Sequence, residues 1–163
     1  MADPITEAHR QWVAHGWADA ADGMALVTSV ARVHQLLMER IEVVLRPFDV
    51  SFARYEVLRL LAFTREGALP MTKLGSLLQV HPTSVTSAVD RLERQGYVTR
   101  TRGEQDRRIV LAAITPEGRA VVERATVGLN EEIFCRPGLD AAGVLALTDQ
   151  LTRLRAAVGD TCG

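Results

Sequence analysis

The chain has 163 residues, 47% apolar and 24% charged, which suits one domain, or one domain with a helical extension, and excludes wholesale disorder. A formal net charge of −1 does not mark a nucleic-acid binder, yet charge is segregated: from Arg91 to Arg108 six arginines face three carboxylates, a local net of +3. Cys135 and Cys162 lack metal-ligand spacing, no run is apolar enough to span a membrane and the N-terminus shows no signal-peptide pattern, so a soluble cytoplasmic protein without metal or cofactor is expected.

In chain order, Ile5 to Asp19 reads as a helix carrying Trp12, Val13 and Trp17, with a break at Ala20–Gly23. From Met24 to Leu45 apolar residues recur every three or four positions, the pattern of a long amphipathic helix that Pro47 should end. Ser51 is placed to cap a helix through Phe63, and Glu66–Pro70 reads as a turn. A short helix capped by Thr72 carries Leu74, Leu77 and Leu78; Gln79-Val80-His81 turns, and Pro82 or Thr83 opens a second helix to about Gln95, closed by Gly96. Tyr97–Arg102 and Ile109–Ile114 read as strands around the polar loop Gly103–Arg108. Thr115 then caps a helix toward Phe134, Pro137-Gly138 breaks it, and a last helix covers roughly Asp140 to Val158.

Two short helices joined by a tight turn and followed by a basic hairpin describe a winged helix-turn-helix. The expected fold is mainly α with a small β-hairpin wing, flanked by long N- and C-terminal dimerisation helices. Val85, Val89 and Leu92 would bury one face of the second short helix, leaving Thr83, Ser84, Thr86, Ser87, Asp90, Arg91 and Arg94 on the other. Small hydroxyls at a helix start admit close approach to DNA, and arginines further along suit phosphate. In the wing loop a guanidinium favours a narrow minor groove, and Asp106 is spaced to orient Arg108. In isolation each feature reads as an ordinary cap or solvated turn; together and in this order they favour DNA.

The segment from Leu74 to Gly118 resembles the DNA-binding core of the MarR (multiple antibiotic resistance regulator) family. The residues carrying the likeness are Leu74-Gly75-Ser76-Leu77-Leu78, Pro82-Thr83-Ser84-Val85-Thr86 and Val89 to Val98. The wing Asp106-Arg107-Arg108 then runs into Ile114-Thr115-Pro116-Glu117-Gly118. Val50-Ser51, where the family usually has Leu-Thr, is a mild departure. The resemblance implies a homodimer on double-stranded DNA with a pseudo-palindromic operator, acting as a repressor. Residues 1–46 and 116–163 would dimerise and residues 47–115 would form the winged domain. It implies that the helix from Thr83 enters the major groove and Arg108 the minor groove, with Arg107 on phosphate. Apolar positions of the last helix, Leu147, Leu151 and Leu154 among them, would pack between subunits.

The resemblance also implies a small aromatic or anionic effector bound near the junction of the two parts. Trp12, Trp17, His34, Asp49, Arg54 and Tyr55 are the candidates, each with a packing alternative. A rival regulator works without a ligand, or through oxidation of Cys135. An enzyme is not expected, because His9, His15, His34 and His81 form no metal pair, triad or phosphate loop. The basic wing argues against a purely helical protein-interaction module.

Overall fold

A computed structural model describes residues 3–78 and 82–160 of the chain. The expected turn Gln79-Val80-His81 and the tail cysteine Cys162 lie outside the described residues. Helix α1 (Pro4–Ala14) is capped by Asp3, whose carboxylate accepts from the Thr6 N–H. Helix α2 spans Ala18–Leu45 and passes through a short 3₁₀ turn, Arg46–Phe48, into α3 (Phe52–Phe63). Strand β1 (Ala68–Pro70), α4 (Met71–Leu78), α5 (Pro82–Arg94), β2 (Val98–Arg102) and β3 (Val110–Ile114) follow. Helix α6 (Pro116–Leu129) continues as a π turn, Asn130–Phe134, before α7 (Ala141–Ala157).

Thr72 lies inside α4, which begins at Met71, and so does not cap it; two further sequence expectations need correction. The break between the first helices is not at Ala20–Gly23 but at His15–Trp17, where Gly16 takes a φ of +86°. Residues 20–23 stay helical because strong helix formers surround a single Gly, whose cost of about 1 kcal/mol the long helix absorbs. The second is Glu66–Pro70, whose latter half is strand β1 rather than turn. It pairs antiparallel with β3 in the sheet order β1-β3-β2, Ala68 opposite Ala113 and Val98 opposite Ile114. A three-residue strand paired with a segment more than forty residues away leaves no local periodicity to read.

The helix starts follow side-chain chemistry. Ser51 caps α3 by accepting from the Arg54 N–H, and Thr115 caps α6 by accepting from the Gly118 N–H. Each such cap contributes about 1 kcal/mol. Thr115 Oγ1 also donates to the Gly96 carbonyl, and its N–H donates to Tyr97 O, so one residue joins the end of the α5 turn to the start of α6. Gly118 lies against that same Tyr97 carbonyl, which a Cβ would strike.

The core is one continuous cluster. Leu58 and Leu61 of α3, Leu74 of α4, Val85, Val89 and Leu92 of α5, and Ala112 of β3 pack with Leu45 of α2 and Val122, Ala125 and Leu129 of α6. The outer part of the molecule is different. Leu26, Val27, Val30 and Val33 of α2 and Leu147, Leu151 and Leu154 of α7 are exposed, and α7 buries no residue of its own. Among the described residues, no helix is long and apolar enough to cross a membrane.

Candidate nucleic-acid interface

Helix α5 divides sharply by face. Val85, Val89 and Leu92 are buried against α3 and α4, while Thr83, Ser84, Thr86, Ser87, Arg91 and Arg94 are exposed. Four hydroxyls over the first turns give the helix a narrow, polar leading edge whose early N–H groups have no intrahelical acceptor. Thr83, Ser84, Ser87, Arg91 and Arg94 line a shallow groove of about 520 Å³ together with Ser51 and Arg54 from the start of α3. Arg94 Nε donates to the Asp90 carbonyl at 3.3 Å, and Arg91 stands 3.6 Å from the Asp49 carboxylate.

The wing is built by a tight loop. Gly103 donates its N–H to the Ile109 carbonyl and Ile109 returns its own to Asp106 O; a Cβ on Gly103 would lie 2.8 Å from that oxygen. Asp106 Oδ1 accepts from the Arg108 N–H at 2.9 Å and lies 3.5 Å from Arg108 Nε. The Arg108 side chain is 94% exposed. Arg102 donates to the Arg107 carbonyl at 3.0 Å, which fixes the loop while both Arg107 and Arg108 project outward.

Arg100, on β2, is a site residue that the sequence reading passes over. Its guanidinium meets Asp90 Oδ1 and Glu93 Oε2 of α5, each at 2.7 Å, and the Glu93 hydrogen bond holds its pKa above the usual value. The pairs are partly solvated and add little stability. Their electrostatic effect is larger: two carboxylates on α5 that would repel phosphate are neutralised from the wing. The available signal was Asp90 and Glu93 three residues apart on a helix, opposite a strand that carries an arginine.

The six expected effector residues are not brought together. Trp12 and Trp17 pack edge to face at 5.4 Å beside a shallow cleft at the α1–α2 turn. His34 is exposed on α2. Asp49 and Arg54 meet at the α2–α3 junction, where Arg54 donates to the Asp49 carbonyl at 2.7 Å. Tyr55 is buried and its hydroxyl lies 3.0 Å from Thr126 Oγ1 of α6.

Tyr55 instead lines a cleft of about 650 Å³ between α3, α4 and α6, walled by Phe52, Phe63 and Phe134 and carrying Glu56 and Arg59. Arg59 reaches Thr126 Oγ1 at 3.2 Å and Glu123 at 2.9 Å and stacks 4.4 Å from the Phe63 ring, but its buried Nε has no hydrogen-bond partner. Arg59 holds the Glu123 carboxyl below the usual range, whereas burial pushes Glu56 up. Residues 55, 56, 59 and 63 share one face of α3 by helical spacing, so this cleft had a trace in the sequence. Cys135 is exposed and free, and the described residues contain no group of three or more His, Cys, Asp and Glu placed to hold a metal.

Comparison with known proteins gives four concordant likenesses. A family model, MarR family, matches residues 50–110. The solved structure of Sco5413, a MarR family transcriptional regulator from Streptomyces coelicolor, superposes with a TM-score of 0.77 at 42% identity, covering 87% of this chain and 99% of that one. A point mutant of MarR from E. coli, complexed with operator DNA, superposes at a TM-score of 0.72 and 25% identity over 83% of this chain and 96% of that one. The HTH-type transcriptional regulator YhbI of Bacillus subtilis (strain 168) is 36% identical over 87 residues, 53% of this chain and 55% of YhbI. The chain thus spans about half the length of the curated relatives it matches.

Proposed function

The chain belongs to the MarR family of transcriptional regulators, and from that premise we propose that it is a homodimer that represses transcription from a pseudo-palindromic operator. The observation that carries this reading is the pairing of two exposed polar surfaces. The hydroxyl-and-arginine face of α5 and the outward Arg107 and Arg108 of the wing both stand free of the core, with Arg100 masking the nearby acids. In this reading Thr83, Ser84, Thr86 and Ser87 approach base edges and backbone in the major groove, and Arg91, Arg94 and Arg107 meet phosphate. Arg108, braced by Asp106, enters the minor groove. Residues 47–115 are the winged domain; residues 1–46 and 116–163 supply the dimer surface. The uncovered apolar faces of α2 and α7 support that division, since monomers rarely leave so much aliphatic surface in water.

The same reading places an effector in the cleft of Tyr55, Glu56 and Arg59. Aromatic walls, a cation with an unsatisfied N–H and a position between the winged helices and α6 fit a small aromatic anion. Such a ligand releases DNA only by binding one relation of α3 to α6 better than another. One experiment tests the operator and the effector together. Genomic fragments selected by the purified protein should converge on an inverted repeat whose affinity falls steeply with salt, and a small aromatic carboxylate such as benzoate or a substituted relative should release them. Binding to all DNA alike, or affinity insensitive to salt, would sink the reading.

A further inference from the structure

At the junction of α2, α3 and α5 lies a polar cluster behind the groove face, which shares Arg54 with the groove lining and meets Arg91 through Asp49. The 3₁₀ turn after α2 ends on Asp49, whose φ of 51° is left-handed. That conformation is unfavourable for a residue with a Cβ, least so for Asp and Asn, so its surroundings must hold it. The Asp49 carbonyl accepts two hydrogen bonds, 2.7 Å from Arg54 Nη1 and 2.8 Å from Gln95 Nε2. The same Arg54 nitrogen donates to Gln95 Oε1 at 2.8 Å. These three bonds close a triangle between the turn that ends α2, the first turn of α3 and the residue that follows α5.

Each corner is tied to its own element. Gln95 donates its backbone N–H to the Arg91 carbonyl, which fixes it to the last turn of α5. Arg54 Nε donates to Ser51 Oγ, the oxygen that caps α3. Burial lowers the Arg54 pKa, with Asp49 opposing that and Arg91 adding to it, so this half-buried cation bears some desolvation cost that its hydrogen bonds offset. Apolar packing of Leu58 and Leu61 with Val89 and Leu92 already joins α3 to α5, but it is non-directional and tolerates rotation. A planar guanidinium with fixed acceptors does not.

We infer that Arg54 and Gln95 are positioning residues that set the angle of α5 to the end of α2, and thereby the half-site spacing that a dimer of this chain accepts on DNA. The inference rests on the reading of α5 as the groove-binding helix. In a dimer joined partly through α2, a small rotation at this triangle is multiplied by its distance from the two-fold axis. The carbonyl of Asp49 does most of the holding, while its carboxylate lies 3.4 Å from the same Gln95 nitrogen and 3.6 Å from Arg91.

The test uses duplexes selected by the purified full chain, resynthesised with one or two base pairs added or removed between half-sites. The parent should prefer its selected spacing. In Gln95→Met that preference should fall about three- to tenfold, the scale of one or two lost hydrogen bonds. Affinity for a single half-site and the thermal unfolding midpoint should hardly move. Gln95→Glu, which keeps the acceptor for Arg54 but sets a carboxylate beside Asp49, should lose the preference as well and serves if the Met variant does not fold. Undiminished spacing preference in both variants, or an equal loss on every duplex, overturns the inference. A parent that binds no DNA, or binds all spacings alike, overturns the groove-helix reading and this inference with it, and that is seen before any variant is made.

Discussion

At the scale of single residues, side chains here act by aiming one another. Asp106 contributes little to stability at the exposed tip of the wing, but it holds the Arg108 backbone N–H and lies beside its guanidinium. Arg108→Ala should therefore weaken specific DNA binding by about 1–3 kcal/mol, the range for a good groove contact, and leave the unfolding midpoint unchanged. Operator titrations beside thermal melts check this; unaltered affinity would remove Arg108 from the interface. Gly118 shows the opposite kind of constraint, one of space. The Thr-x-x-Gly run after the wing exists because Thr115 ties the α5 turn to the start of α6, and the residue three later must pass under Tyr97 O without a Cβ.

At the scale of elements, α3 is the hub. It packs on α4, α5, α6 and the sheet, and its outer face carries the Tyr55–Glu56–Arg59 cleft. Burial raises the pKa of Glu56 above its ordinary value of 4.5, so ionising it costs more in the folded chain than in the unfolded one. Below its ordinary pKa the group is protonated in both states and carries no penalty. As pH rises through the window from its unfolded to its raised folded value, stability is lost. Glu56→Gln should therefore raise the unfolding midpoint at pH 7, with the gain vanishing near about pH 4. A gain equal at both pH values would mean that packing, not charge, was responsible.

Elements with a local signature were legible in the sequence. The caps at Ser51 and Thr115, the stop at Pro47, the buried stripe Val85–Val89–Leu92 and the hairpin around Gly103–Arg108 each state their geometry within a few residues. What depended on distant partners was not. Strand β1 exists because β3 is there to pair with it. Arg54 lines a cavity with Asp49 at the α2–α3 junction, but its hydrogen bonds to Asp49 and to Gln95, 41 residues away, leave no trace in the local sequence. Arg59 was overlooked for a similar reason: its partners Glu123 and Thr126 come from α6, more than sixty residues on.

At the scale of the whole molecule, one core serves both the winged part and the inner ends of α2 and α6, while the outer half of α2 and the whole of α7 stay bare. Replacing Leu147 and Leu151 together with Asp should shift the protein from dimer to monomer in sedimentation. Affinity for a full operator should then fall toward that of one half-site, a loss of about 10²–10⁴. A double variant that remains dimeric would place the interface elsewhere. Helix α7 has a further consequence. Its backbone amides have almost no shelter from their own chain, so their exchange with solvent deuterium should follow protein concentration, quickening on dilution as copies part. Amides of Val121 to Leu129, locked in the common core, should be the slow reference against which that quickening is read.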